Sequence, residues 1–168
     1  ASPFFESSPP PPHLVVPLRF DNQLEGETYG LEATVAWQAD SRWKWRASYS
    51  WLDIQLHRQP TSVDAANEVG KEGESPEHQA QLWSSLDLPS NLEWDTHLYY
   101  VSRLPTLDIP GYTRLDSLLG WRPTERLFLS VVLQNLLKPR HQEFIDFGGG
   151  PEPTQMKRGL YAKFSWTF

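Results

Sequence analysis

The stretch LYAKFSWTF, from Leu160 to Phe168, alternates between apolar and polar side chains without a break and stops on an aromatic residue. Because side chains two residues apart point to the same side of a β-strand, the alternation gives this strand two unlike faces. The apolar face carries Leu160, Ala162, Phe164, Trp166 and Phe168, and the other carries Tyr161, Lys163, Ser165 and Thr167. The pattern is typical of a membrane β-strand. A soluble sheet shows the same alternation, so the interpretation depends on whether the pattern recurs upstream.

The alternation does recur upstream and predicts further strands. They cover residues 28–38, 43–56, 77–88, 92–103, 112–122 and 126–136, and a shorter strand covers residues 14–20. A helix does not fit these segments, because their apolar residues recur at every second position. Residues 1–13, which contain the run SSPPPP, are predicted to form an extended Pro-rich loop or linker, since proline has no amide hydrogen to donate to a sheet. Residues 21–26 are predicted to form a turn.

The connections between the predicted strands alternate in length. Short ones at residues 39–42, 89–91 and 123–125 alternate with longer ones at residues 57–76, 104–111 and 137–156. This order places all the tight turns at one end of the sheet and all the long loops at the other. Transmembrane β-barrels show that asymmetry.

Tryptophans gather close to the predicted tight turns. They are Trp37, Trp43, Trp45, Trp94 and Trp121. A cluster at the same end of several strands favours an aromatic girdle, in which amphipathic rings lie between lipid tails and water. Taken singly, each of them fits the core of a soluble protein equally well. Trp83 departs from the scheme, because it falls on the polar face and would pack inside a lumen.

The predicted polar faces carry many ionisable side chains. They are Glu32, Lys44, Arg46, Asp87, Glu93, Asp95, Arg114, Asp116 and Lys163. Unpaired charges in that number would be prohibitive in the dry core of a β-sandwich. A lumen that holds water or protein tolerates them, and a barrel is therefore favoured.

Composition further restricts the structural classes and the partners that are possible for this protein. The chain is 39% hydrophobic with a mean hydropathy of −0.53, and no run approaches the roughly 18 to 20 apolar residues that a membrane helix needs. The net charge of −6 disfavours a nucleic-acid partner, which would need a basic face. Without cysteine, disulfides and thiolate metal sites are excluded. Residues 1–12 lack a basic region followed by an apolar one, so we expect no signal peptide within them.

With these patterns in view, the sequence resembles the carboxy-terminal part of the barrel of a TonB-dependent outer-membrane receptor. The segments that carry the resemblance are EGETYGLEATVAW (25–37), RASYSWLD (46–53), SPEHQAQL (75–82), IPGYTRLDSLLGWRPTERLFLSVVLQNLLKPRHQEF (109–144) and GLYAKFSWTF (159–168). Receptors of this family have a 22-stranded barrel with a plugged lumen and import ferric siderophores, cobalamin or similar scarce ligands.

The resemblance implies an all-β fold, an antiparallel up-and-down transmembrane β-barrel segment that comprises about the last seven or eight strands of a 22-stranded barrel. Residues 14–168 would form it, with the plug domain and the energy-coupling box absent. The implied location is the bacterial outer membrane. The implied partners are membrane lipid, the barrel-assembly machinery, the rest of the barrel with its plug, TonB through the missing amino-terminal part, and a ferric siderophore or similar ligand.

Two groups of candidate functional residues follow from the resemblance. Leu160, Phe164, Trp166 and Phe168 resemble the signal by which the barrel-assembly machinery recognises its clients, although they would also simply face lipid. Lys138, Arg140, His141 and Glu143 lie in a loop that would be extracellular, where the family contacts its ligand. The pattern itself favours the interpretation of this second group as solvated loop charges over ligand contact.

No enzymatic site is apparent in the sequence. The histidines show no metal-binding spacing, and the run Gly148 to Gly150 lacks the lysine of a phosphate-binding loop. Glu93 and Asp95 share a strand face as paired carboxylates do, but nothing supplies a substrate cleft. We therefore predict no enzyme, no metal and no cofactor.

Two other functions remain open at this point. Eight strands are enough to close a small outer-membrane barrel with a structural or adhesion role. A soluble β-sandwich that binds carbohydrate through exposed tryptophans is the third hypothesis.

Overall fold

The computed structural model of this chain describes residues 3–17, 21–62, 67–143, 145 and 155–168. Within them the chain forms eleven strands and one short helix. In chain order these are β1 (Phe4–Glu6), β2 (His13–Val15), β3 (Leu24–Gln38), β4 (Trp43–Arg58), α1 (Asn67–Glu72), β5 (His78–Leu88), β6 (Leu92–Val101), β7 (Tyr112–Thr124), β8 (Leu127–Gln134), β9 (Arg140–Gln142), β10 (Gln155–Lys157) and β11 (Gly159–Trp166). Among these residues, no helix has both the length and the apolar character to cross a membrane.

Seven strands form one antiparallel sheet in the order β3, β4, β5, β6, β7, β8 and β11. Each pairs with the strand that precedes it in this sheet, and β9 and β10 lie between β8 and β11 in the chain as a separate two-stranded sheet. The sheet does not close, because β3 and β11 each pair on one side only among the described strands. The prediction of an all-β, antiparallel, up-and-down segment of seven or eight strands is confirmed.

The tight turns lie at one end of this sheet, as predicted. Between β3 and β4, the Asp40 carboxylate accepts hydrogen bonds from the backbone N–H groups of Arg42 (2.7 Å) and Trp43 (3.0 Å), as aspartates do in turns. Between β5 and β6, Ser90 and Asn91 both adopt left-handed backbone angles, with φ of 64° and 57°. Two consecutive left-handed residues are what a type I′ hairpin turn requires.

The third tight turn begins two residues later than predicted and ends one residue later. We expected a turn at residues 123–125, but β7 continues to Thr124 and β8 begins at Leu127. The pairing of β7 with β8 is irregular between Trp121 and Thr124. Such an irregularity accommodates Pro123 inside a strand, because the residue that cannot donate a hydrogen bond then lies outside the regular ladder.

The amino-terminal segment is not the extended linker that we predicted. β1 pairs antiparallel with β2, so the chain reverses between them instead of running straight. The Pro-rich run at residues 7–12 does stay outside the strands. The strand predicted at residues 14–20 is observed only as His13–Val15, and residues 18–20 lie outside the described residues. The turn predicted at residues 21–26 is shorter, since β3 begins at Leu24.

The region from residue 57 to 76 contains structure where a loop was predicted. β4 extends to Arg58, and α1 follows at residues 67–72. The Glu72 carboxylate accepts a hydrogen bond from the backbone N–H of Leu56 (2.6 Å), which ties the end of the helix to β4. Six residues are too few to show a helical apolar period, so the sequence pattern could not reveal this helix.

The second long loop, predicted at residues 137–156, also contains strands. β9 and β10 pair antiparallel, with His141 opposite Met156. Each strand is three residues long, which is too short to display the alternation from which strands were predicted.

The buried hydrophobic core of the described residues lies at the long-loop end rather than between two layers. Leu104, Leu107 and Ile109 are buried, and Ile145 packs against them. The predicted loop at residues 104–111 is therefore a folded cap, closed by an isolated bridge between Leu104 and Ile109.

Gly73 is required where α1 meets this cap. A Cβ atom at Gly73 would lie 2.2 Å from Oγ1 and 2.9 Å from the backbone nitrogen of Thr106, whose N–H donates to the Gly73 carbonyl (3.2 Å). We expect Gly73→Ala to destabilise the contact by about 1 to 3 kcal/mol, because overpacking displaces backbone. Hydrogen exchange at the Thr106 amide should accelerate correspondingly. Gly70→Ala is the matched control, since a Cβ there meets nothing within 4 Å and alanine favours the helix by about 1 kcal/mol. Equal exchange in both variants would contradict this account.

Candidate functional site

Cross-strand pairing aligns the apolar side chains of the seven strands on one face of the sheet. One continuous row consists of Val35, Ala47, Leu82, Leu98 and Leu115. Large apolar residues on this face are exposed, from Val35 at 63% on β3 to Leu160 at 70% on β11. No second sheet covers them among the described residues. A soluble β-sandwich would bury this face, so the structure does not support the carbohydrate-binding alternative.

The predicted girdle residues all lie on the apolar face near the tight-turn end. Trp37 pairs directly with Trp45, whose ring centroid is 5.0 Å from that of Trp43. Trp94 and Trp121 follow on β6 and β7. The placement is the one that a girdle would need, and the girdle itself stays a prediction.

Two of these indoles donate hydrogen bonds to serine hydroxyl groups that would otherwise be isolated on the apolar face. Trp43 Nε1 donates to Ser84 Oγ (2.8 Å), and Trp94 Nε1 donates to Ser117 Oγ (2.9 Å). An indole that shields a serine hydroxyl removes much of the cost of placing that hydroxyl in an apolar environment. These serines interrupt the apolar pattern in the sequence without interrupting the apolar surface.

A second group of aromatic residues lies on the same face at the long-loop end. It comprises Tyr29, Tyr49, Trp51 and Tyr100. Tyr49 and Tyr100 flank Ala80 in one row, and Trp51 pairs with Leu31 in the next. Sequence analysis missed this group because it considered only the aromatics near the tight turns. The same period-two pattern, followed to the other end of each strand, would have found it.

The residues predicted to form the assembly signal lie on the edge strand β11 and just after it. Leu160, Phe164 and Trp166 share the apolar face, where they pair with Leu133, Leu129 and Leu127 of β8. Phe168 follows the strand and is exposed. Their recognition by assembly machinery stays a prediction.

The opposite face of the sheet carries the charged residues, as predicted. Trp83 lies there too, with its ring centroid 4.7 Å from that of His97 and 5.6 Å from the Arg46 guanidinium carbon. On the polar face, the Trp83 ring is therefore stabilised by contacts with an imidazole and a cation rather than by apolar packing.

A network of polar side chains joins β7, β8 and β9 at the long-loop end of this face. Arg114 donates from Nε (3.0 Å) and Nη2 (2.5 Å) to the Asp116 carboxylate and lies 3.8 Å from Glu143 Oε1. Asp116 Oδ1 also accepts from the backbone N–H of Asn135 (2.9 Å). His141 has its Nδ1 3.1 Å from Asn135 Oδ1 and its Nε2 2.7 Å from Glu143 Oε1.

Asn135 is the centre of this network. It is fully buried and has a left-handed backbone with φ of 54°, which asparagine tolerates better than most residues. Its side-chain amide donates to the carbonyl of Met156 in β10 (3.1 Å). Arg158 closes the assembly by donating from Nη2 to the carbonyl of Leu136 (2.9 Å). The network thereby fastens the β9–β10 hairpin to the sheet.

The predicted ligand-contact residues do not converge on one site. Lys138 and Arg140 are exposed, whereas His141 is buried and stacks on Tyr112 with ring centroids 4.4 Å apart. Glu143 is held by His141 and Arg114. The interpretation of all four as solvated loop charges is wrong for His141 and Glu143, which position a hairpin. Among the described residues, no group of His, Asp or Glu side chains is placed to hold a metal ion.

Two comparisons with known proteins bear on the family and the fold of this chain. A family model described as TonB dependent receptor-like, beta-barrel matches residues 4–136. The crystal structure of the siderophore receptor PiuA from Acinetobacter baumannii is similar, with a TM-score of 0.60 and 18% sequence identity over 71% of this chain. At this identity the likeness shows the fold alone, and the match covers 19% of the PiuA chain. Because the family model matches most of the chain, this protein belongs to the TonB-dependent receptor-like β-barrel family.

Proposed function

We propose that the chain forms part of the barrel wall of an outer-membrane receptor that imports a scarce nutrient. We propose further that this nutrient is a ferric siderophore. The observation that carries the proposal is the exposed apolar face, opposite a charged face, in a chain of this family. Lipid is the environment that stabilises such an apolar surface, and a lumen is the one that tolerates the charges.

The two aromatic groups support this placement. Along β4, eight residues separate Trp43 from Trp51, which at about 3.4 Å per residue and a strand tilt near 40° amounts to roughly 21 Å of height. An outer-membrane barrel has an apolar band of about 25 Å between its aromatic girdles. In this proposal, Trp37, Trp43, Trp45, Trp94 and Trp121 belong to the periplasmic girdle, and the long loops face the cell exterior.

The partners follow from the same proposal. The unpaired edges of β3 and β11 would join strands of the receptor outside this chain, since a strand edge left bare in a membrane is not tolerated. The plug and the TonB contact belong to the rest of the receptor. The exposed cations Lys138 and Arg140 are the ligand-contact candidates that the structure leaves accessible.

The substrate is tested on the full-length receptor that contains this chain. We expect saturable quenching of tryptophan fluorescence by at least one member of a panel of ferric hydroxamate, catecholate and carboxylate siderophores. Loss of the receptor should also slow growth on that siderophore under iron limitation. If the receptor binds cobalamin alone, the proposal of a nutrient receptor stands but the siderophore assignment is contradicted. If it binds no member of the panel, the siderophore assignment is contradicted as well.

A further inference from the structure

A groove lies on the apolar face of the sheet where β7, β8 and β11 run side by side. Its volume is about 400 Å³, and ligand sites typically occupy about 300 to 1,000 Å³. Large apolar side chains line it, namely Leu119, Trp121, Leu129, Val131 and Phe164. Ala162 has the smallest side chain of the lining and pairs with Val131. The groove therefore forms where a small side chain lies among large ones.

The side chains that line this groove favour a hydrocarbon chain as its occupant. Ser130 and Lys163 also border the groove, but they alternate along β8 and β11 with the apolar residues of the lining. Their side chains therefore belong to the polar face of the sheet. Apart from the Trp121 indole, the groove presents only apolar side chains, which gain stability when a hydrocarbon covers them.

The position of the groove matches one leaflet of a membrane. Val131 lies four residues from Leu127, where β8 begins, and Ala162 lies four residues from Trp166, where β11 ends. At about 3.4 Å per residue and a strand tilt near 40°, four residues span roughly 10 Å of height. This is most of one half of an apolar band of about 25 Å. An acyl chain that starts at the tight-turn interface would therefore run along the groove.

The Trp121 indole differs from its neighbours in the tight-turn group of tryptophans. Trp43 and Trp94 donate hydrogen bonds to serine hydroxyls, whereas Nε1 of Trp121 has no acceptor among the described residues. Trp121 lines the groove on the side of the tight turn, and its side chain is exposed. Indoles at a membrane interface keep their apolar body in lipid and their N–H at the polar level. This N–H is thus placed to donate to a phosphate or ester oxygen of a lipid.

The turn next to the groove carries one charge of each sign. Its two residues, Glu125 and Arg126, are exposed, and neither forms an ion pair with the part of the chain that is described. In the turn between β3 and β4, by contrast, the Asp40 carboxylate already accepts from backbone N–H groups. A guanidinium binds phosphate, and a carboxylate binds an ammonium group. The turn is therefore complementary to a head group that contains both.

From these observations we propose that the groove binds one acyl chain of a phosphatidylethanolamine molecule from the leaflet at the tight-turn end. The lipid phosphate accepts hydrogen bonds from Arg126 and Trp121 Nε1, and its ammonium group pairs with Glu125. The inference rests on the proposed function, in which the apolar face meets lipid. It adds that at one place on this face the receptor selects a particular phospholipid. Phosphatidylglycerol fits the groove but has no ammonium group for Glu125.

Fluorescence quenching by brominated lipids tests this site in the full-length receptor. Bimane is attached to Leu160→Cys, next to Ala162 on the apolar face of β11, or to the control Leu82→Cys on the same face of β5. Each position lies six residues from the tight-turn end of its strand. In vesicles of equal parts phosphatidylethanolamine and phosphatidylglycerol, one lipid carries brominated chains. At Leu160→Cys, brominated phosphatidylethanolamine should quench about threefold more than brominated phosphatidylglycerol, and at Leu82→Cys the two should quench equally.

Three further variants test the stated chemistry of the site. Ala162→Leu fills the groove, and Glu125→Gln and Arg126→Gln each remove one charge of the turn, so each should abolish the preference at Leu160→Cys. Ala47→Leu is the matched control, because Ala47 lies on the apolar face four residues from the tight-turn end of β4, and it should leave the preference unchanged. A preference that survives Ala162→Leu, or that Ala47→Leu also abolishes, would overturn the proposal.

The same measurement separates failure of this inference from failure of the proposed function. Equal quenching by the two lipids at Leu160→Cys, or the same preference at both positions, would overturn the lipid site while the apolar face still meets lipid. Quenching at Leu82→Cys alone would show that a protein covers the groove, and it would overturn the lipid as occupant. Absence of quenching at both positions would contradict the proposed function itself and the lipid site with it.

Discussion

Replacing Leu82 with arginine is expected to destabilise the receptor in a lipid bilayer by about 2 to 4 kcal/mol. Leu82 occupies the centre of the apolar row between Ala47 and Leu98, midway between the two aromatic groups. A charge at that depth has to be removed from water and inserted among lipid tails. Equilibrium unfolding of the full-length receptor in vesicles, by guanidinium, measures the loss as a change in the free energy of unfolding.

The neighbouring residue provides the matched control. Gln81 lies on the same strand and is exposed like Leu82, but it belongs to the polar face. Gln81→Arg should change the free energy of unfolding by less than about 1 kcal/mol, as exposed polar substitutions usually do. Similar losses in the two variants would contradict the assignment of the faces.

Replacing Asp116 with leucine is expected to cost about 3 kcal/mol and to release the β9–β10 hairpin. The change removes the acceptor for Arg114, whose side chain is only 19% exposed, and for the backbone N–H of Asn135. Removal of one partner from a largely buried ion pair leaves an uncompensated charge, which is more costly than the pair itself. Trypsin cleavage after the exposed Arg140 should accelerate roughly a hundredfold, because 1.4 kcal/mol corresponds to a factor of ten in the population of the open hairpin.

Glu93 supplies the control for the Asp116 variant. It pairs with Arg122 at 3.6 Å near the tight-turn end, and the Arg122 side chain is 58% exposed. Exposed pairs contribute about 0 to 1 kcal/mol, so Glu93→Leu should leave trypsin cleavage at the hairpin nearly unchanged. Unchanged cleavage in Asp116→Leu would show that the network does not hold the hairpin.

The sequence predicted the sheet well because its signal is local and repeats. The alternation seen in Leu160 to Phe168 recurs in the other strands of the sheet, and the register places most of the apolar positions on one side. Leu52, Ile54, Leu118 and Val132 are exceptions that lie on the polar face. Turn positions were predicted correctly where a turn residue such as Asp40 or Asn91 punctuates the pattern. The turn at Pro123 was misplaced, since a proline usually signals the end of a strand and here occupies an irregular stretch within one.

The candidate site was harder to predict, because its residues are brought together by tertiary contacts. His141 was predicted to lie in a loop and Asn135 at the end of a strand, and only the position of β9 against β7 and β8 makes them a buried pair. On the polar face, Lys44 and Asp95 likewise come to lie in one row only through the register of β4, β5 and β6. Periodicity assigned each of these side chains to the correct face, but it gives no information about which of them meet.

Site-directed spin labelling along β5 of the full-length receptor in lipid tests the central claim most directly. We expect labels at Ala80, Leu82, Ser84, Leu86 and Leu88 to be accessible to oxygen, which partitions into lipid. Labels at Gln79, Gln81, Trp83, Ser85 and Asp87 should instead be shielded from oxygen and respond to a water-soluble nickel complex wherever the lumen is open. A period-two profile of this phase is the predicted result, and a profile without alternation, or with the phase reversed, would contradict a barrel wall with its apolar face toward lipid.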